Sequence, residues 1–178
     1  AGGRGVTVTL NGRILPARAV TKCHTNNVEA FTAGSYGAVG EVGDDRVVWF
    51  NRPPRALTIP VPAALPRVDL VYCYPGADGG LIDAAVAAGA RGLVVAGYGI
   101  GNVNQPVFQA LERARGRDVA VVLATRVPAG RVYPVYGGAG GGQSLKALGV
   151  GFAAALPPSH ARVRLLLAED DTMIGEAV

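Results

Sequence analysis

Two residues of this chain combine a useful side chain with a suggestive neighbourhood. Lys22 follows Ala19-Val20-Thr21 and leads into His24-Thr25-Asn26-Asn27; with Lys146 it is one of only two lysines among 17 basic residues. Partial burial lowers a lysine pKa toward the range used in acid–base work, whereas a solvated surface lysine only carries charge. Asn102 closes the run Gly97-Tyr98-Gly99-Ile100-Gly101-Asn102. A side-chain amide both donates and accepts, so it can orient a small polar ligand without adding charge, and asparagine fills turns and caps equally well. On residue type alone, both readings stand for each position.

Other candidate chemistry falls away on spacing. The glycine run before Asn102 follows a strand and precedes a helix, where a dinucleotide fingerprint belongs, but the third glycine of G-x-G-x-x-G would fall at Asn102. The next strand ends in Ala124 and Thr125, with no acidic residue for a ribose hydroxyl. Gly137 to Gly142 does not lead into Gly-Lys-Ser/Thr, so it is no phosphate loop. These glycines serve tight turns, and Gly99 to Asn102 is expected to border a ligand site because such sites lie at the carboxyl ends of parallel strands. Cys23 and Cys73 lack CxxC spacing and are read as free thiols. His24 and His160 have no nucleophile or carboxylate at a telling distance and receive no role. No cofactor or metal is expected.

The elements that must position Lys22 and Asn102 come in two styles. Gly5 to Leu10 alternates as a strand and runs into Asn11-Gly12, a type I′ hairpin signal; Val39 to Phe50 reads as a second hairpin bending at Gly43-Asp44-Asp45, with an irregular polar stretch at 21–27 between them. Pro53, Pro54, Pro60, Pro62 and Pro66 mark an extended linker. Short apolar strands then alternate with helical patterns: strands at Val68–Tyr74, Leu93–Ala96 and Val119–Leu123, a helix capped by Asp78 with Leu81, Ile82, Ala85 and Val86 inward, and a helix capped by Asn104 with Val107, Phe108, Leu111 and Ala114 inward. A glycine-rich loop over 129–142, a short helix over Ser144–Gly149 and a last helix within Pro157–Glu169 carrying Val163, Leu166 and Leu167 complete the pattern. The expected fold is α/β: the remnant of an amino-terminal α/β domain (1–50), a linker (51–67) and a smaller parallel-sheet α/β domain (68–178).

Composition sets limits. An apolar share of 49% with a net charge of only +4 over 178 residues excludes disorder as the main state. The basic residues are scattered rather than gathered on a run, so nucleic acid is not an expected partner. The apolar stretches fall far short of the roughly 18 residues of a membrane span, so no membrane partner is expected either.

Val20-Thr21-Lys22 with His24-Thr25-Asn26-Asn27-Val28, then Tyr36-Gly37 to Gly40, then Gly89-Ala90-Arg91-Gly92-Leu93-Val94 leading to Gly97-x-Gly99-x-Gly101-Asn102, then Thr125-Arg126-Val127, together resemble the bacterial-type L-asparaginases. The resemblance runs in register from about Gly5 to about Leu167. It implies an amidohydrolase of L-asparagine, a small-molecule amino-acid amide, built from identical subunits assembled as a tetramer of two intimate dimers. It implies that Lys22 is the catalytic lysine and that Asn102 reaches into a neighbour's active site near the substrate's amino group. The family's threonine nucleophile sits in a T-G-G-T-I-type motif, and a second threonine lies beside an aspartate in a T-D-T-type motif; neither motif occurs in this sequence. The expectation is therefore an internal start at Ala1, roughly half of a two-domain subunit, an isolated chain without activity, and self-association or a companion amino-terminal fragment. The alternative expectation is an inactive truncated domain serving subunit association or small-ligand binding. Some family members meet the substrate ammonium with an acid from the loop after the T/S-R-V block, but 129–142 holds no Asp or Glu; Tyr133 and Tyr136 in that loop read as packing aromatics, with lining of the site as the alternative.

Overall fold

Asn11 and Gly12 take φ of 48° and 72°, the left-handed pair that a type I′ turn demands, and they join β1 (Thr7–Leu10) to β2 (Arg13–Pro16) as an antiparallel hairpin. The computed structural model describes residues 3–52, 60 and 62–168, and the chain divides into two units, Ala1–Thr58 and Ile59–Val178. Pro53, Pro54 and most of the central part of the expected linker lie outside the described residues, as do Ala1 and Glu169.

In the first unit a short hairpin, β3 (Thr21–Lys22) and β4 (Phe31–Thr32), precedes β5 (Gly40–Val42) and β6 (Val47–Trp49). β3 falls in the stretch read as irregular: a strand of two residues is too short for alternation to register. The main sheet runs β1-β2-β5-β6, so β1 and β6 form its edges. Its core is small, built on Leu15, Ala19 and Ala33 with Val20, Phe31 and Ala38 against them.

The second unit is a parallel sheet in the order β10-β9-β8-β7, made from β7 (Val68–Tyr72), β8 (Gly92–Gly97), β9 (Ala120–Thr125) and β10 (Gly151–Phe152). Between them run α1 (Gly80–Ala87), α2 (Gln105–Arg115) and α3 (Gly142–Ala147), and α4 (Pro158–Leu167) follows. Alternate strand residues feed two cores. Leu93, Val95, Val121 and Leu123 meet Ile82, Leu111 and Leu145 on one face, while Val94, Val122 and Ala124 meet Ala161 and Leu165 of α4 on the other. Helices on both faces explain why β8 and β9 read as continuous apolar runs. The α/β class is the one expected.

Local details differ from the sequence reading. The α1 cap is Gly79 at φ 86°, and Asp78 instead accepts from the Gly80 N–H at 2.9 Å. Ile82 and Ala85 set the buried face, leaving Leu81, about 100° away around the helix, 56% exposed. In α4, whose inward face the sequence reading left open, Ala161 and Leu165 are buried, Leu166 packs partly against them and Val163 is exposed. α3 begins at Gly142 rather than Ser144, and β10 was invisible to periodicity for the same reason as β3. Asn104 does cap α2: its Oδ1 accepts from the Val107 N–H at 3.1 Å, with Pro106 in the first turn.

Candidate active site

The ends of β7, β8 and β9 emerge together at the carboxyl edge of the parallel sheet, and there β8 turns back on itself. Tyr98 N–H donates to the Asn102 carbonyl at 2.7 Å, and the N–H groups of Gly101 and Asn102 donate to the Tyr98 carbonyl at 2.9 and 3.0 Å. Glycine is required at two points of this loop. A Cβ at Gly97 would stand 2.6 Å from the Asn102 carbonyl oxygen, and Gly101 has φ 108° with Leu123 and Val132 at 3.0 and 3.2 Å from where its Cβ would be. The loop thus delivers Asn102 to the sheet edge, half-buried, with its Oδ1 enclosed and without a hydrogen-bond partner among the described residues.

β9 supplies the neighbouring groups. The Thr125 hydroxyl donates to the Gly99 carbonyl at 2.7 Å and accepts from the Val127 N–H at 3.0 Å. The Arg126 guanidinium lies 4.7 Å from the Tyr98 ring centroid and donates to the Cys73 carbonyl at 3.3 Å, and the Tyr98 hydroxyl donates to the Tyr74 carbonyl at 2.6 Å. Burial pushes the Cys73 thiol up to about 11, against a smaller lowering by the Arg126 charge, so it is a protonated thiol at neutral pH rather than a nucleophile.

The glycine-rich loop lies along the same edge: Gly140 accepts from the Val103 N–H at 2.9 Å, and Tyr133 N–H donates to the Ile100 carbonyl at 3.3 Å. Tyr133 and Tyr136 are 53% and 59% exposed, so of the two readings for them, packing within this chain is not the one found.

Lys22 belongs to the first unit and Asn102 to the second. Lys22 is exposed on β3, opposite Phe31, so the partial burial invoked for it is not found in this chain. The segment after it is ordered by its own side chains. His24 Nδ1 accepts from the Asn26 and Asn27 N–H groups at 3.3 and 3.0 Å, and Asn27 Oδ1 accepts from the Glu29 N–H at 3.1 Å. Sequence reasoning assigned no individual role to Tyr98, Thr125 or Arg126; the signal was the Thr125-Arg126-Val127 block at the end of an apolar strand, read only as part of the family resemblance. Among the described residues, no group of three or more His, Cys, Asp or Glu side chains is placed to hold a metal ion.

Comparison with known proteins matches residues 67–178 to the Glutaminase/Asparaginase C-terminal domain and residues 1–55 to Asparaginase, N-terminal. The chain is 40% identical over 170 residues to a probable L-asparaginase of Deinococcus radiodurans, covering 93% of this chain and 51% of that protein. It is 33% identical over 163 residues to the L-asparaginase of Bacillus licheniformis, covering 92% and 51% respectively. The crystal structure of a probable cytoplasmic L-asparaginase from Campylobacter jejuni superposes with a TM-score of 0.87 at 32% identity, covering 98% of this chain and 58% of that one. The chain therefore spans about half the length of these relatives. The motifs around Lys22 and Asn102, the parallel sheet and the matched domains lead to one assignment: the chain belongs to the bacterial-type asparaginase family.

Proposed function

We propose that this chain is part of an amidohydrolase that converts L-asparagine and water to L-aspartate and ammonia, through an acyl-enzyme formed on a threonine outside these 178 residues. In that scheme the threonine oxygen attacks the side-chain amide carbon, the C–N bond breaks and the NH2 group takes up the threonine hydroxyl proton to leave as ammonia; water then cleaves the ester, giving the carboxyl group and restoring the hydroxyl. Lys22 serves as the cation of the proton network beside the nucleophile, and its exposure in this chain leaves the ammonium available to such a partner. Asn102 meets the substrate's amino group. The observation that carries the reading is the placement of Asn102, half-buried in a hydrogen-bonded turn at the edge where ligands of parallel sheets bind. A side-chain amide can accept from an ammonium without adding charge, and 129–142 holds no acid to do so.

A lysine without its nucleophile forms no covalent intermediate, so the purified chain is expected to release no ammonia from L-asparagine in a coupled assay. Clear turnover by the chain alone refutes the proposal. A second reading, an inactive domain used for association or small-ligand binding, is favoured by the exposed Val47, Val48 and Phe50 at the β6 edge. The two separate on the gene: T-G-G-T-I and T-D-T motifs upstream or on a companion chain support the enzyme, and their absence supports the association domain. Either reading has the chain associating with identical subunits or with an amino-terminal companion, and a stable monomer in size-exclusion chromatography counts against that.

A further inference from the structure

We infer that Thr125 is a positioning residue for Asn102: its hydroxyl fixes the turn between Tyr98 and Asn102 and so holds the Asn102 amide in one orientation. The inference rests on the reading of Asn102 as the ligand-facing group and adds the side chain that orders it.

Thr125 is a buried polar residue, 9% exposed, at the end of β9, paired in register with Gly97. A hydroxyl has one hydrogen to give, and this one goes to the Gly99 carbonyl at 2.7 Å while the oxygen accepts from Val127 N–H. Both functions of the group are engaged, so removing it strands a carbonyl on one strand's loop and an N–H on the next. Gly99 is the first residue inside the turn, at φ 49°, and the Tyr98–Asn102 backbone pair closes the turn around it. Inward movement is blocked, because Gly97 already abuts the Asn102 carbonyl and Gly101 abuts Leu123 and Val132. The remaining freedom is outward, away from β9, and the Thr125 hydrogen bond opposes that motion. Arg126 holds a different part of the loop, the Tyr98 ring, and cannot substitute for a bond to Gly99.

The test is NMR on the full 178-residue chain, following backbone amide exchange at Gly101 and Asn102 and the Asn102 side-chain NH2 pair. Thr125→Val keeps the shape and removes the donor; Thr125→Ser keeps the donor. The expected result is a loss of protection of about tenfold at Gly101 and Asn102 in Thr125→Val, with the NH2 pair averaged, core amides such as Leu111 unchanged, and near-native behaviour in Thr125→Ser. If Thr125→Val does not fold, the wild-type chain decides: a slowly exchanging Thr125 hydroxyl proton coupled to the Gly99 carbonyl carbon supports the inference. A folded Thr125→Val with unchanged Asn102, a Thr125→Ser as loose as Thr125→Val, or a freely exchanging hydroxyl overturns it. None of these readouts uses hydrolysis, so an Asn102 with no part in amide binding would leave this coupling intact, and a failed coupling would leave the Lys22 chemistry untouched.

Discussion

Tyr98 and Asn102 hold each other across a tight turn, the N–H of each donating to the carbonyl of the other at 2.7 and 3.0 Å. Gly97 packs against this pair with no room for a methyl group, since a Cβ there would lie 2.6 Å from the Asn102 carbonyl oxygen. Gly97→Ala is therefore expected to destabilise the chain by about 1–3 kcal/mol in urea unfolding and to shift the Asn102 resonances. A change within about 0.5 kcal/mol, the range of inert surface substitutions, would show that the loop yields freely.

The Asn104 side chain works in two directions. Its Oδ1 caps α2 through the Val107 N–H, and its Nδ2 donates to the Ala77 carbonyl at 2.8 Å. Asn104→Ala should cost about 1–2 kcal/mol, more than Asn104→Asp, which keeps the cap and loses only the second bond. Equal losses in the two variants would contradict the double role.

The two thiols should behave differently. Cys23 is exposed and Cys73 buried, with Cys73 raised by burial from the usual 9.0 to about 11. A maleimide at neutral pH is expected to label Cys23 readily and leave Cys73 intact in the folded chain. Because the fold favours the protonated thiol, the contribution of Cys73 to stability is intact below pH 9.0 and is lost as pH rises from there through about 11. Cys73→Ala should remove this part of the alkaline fall, read as the change in urea midpoint between pH 8.5 and 11. An identical alkaline fall in both chains would contradict the assignment.

If Asn102 binds rather than reacts, its loss should weaken substrate capture. In a full-length protein made by joining this chain to the amino-terminal half of the Deinococcus radiodurans relative, Asn102→Ala is expected to raise KM for L-asparagine several-fold, with kcat falling less. A fall in kcat alone would assign Asn102 to the chemical step instead.

Much of this was legible in the sequence because the signals were local or sustained. Asn11-Gly12 can hardly do anything but turn, Asn104-x-Pro106 announces a capped helix, and the uninterrupted apolar runs of β8 and β9 require a sheet covered on both faces. What escaped was short or relational. β3 and β10 have two residues each, below any period, and in α1 only Leu81 departs from the expected inward set, because adjacent helical positions lie about 100° apart. The bracing of the Asn102 loop escaped for another reason. Thr125 and Gly99 are 26 positions apart, and only the parallel pairing of Gly97 with Thr125 brings them together.

The central claim is that Lys22 works in amide hydrolysis, and the most direct measurement is ammonia release from L-asparagine by the same joined protein with Lys22 or with Lys22→Met. The account predicts turnover with Lys22 and a loss of at least about 100-fold in kcat with Lys22→Met, the usual scale for removing a group that handles protons in the transition state. A Lys22→Met protein that keeps the full rate would contradict it.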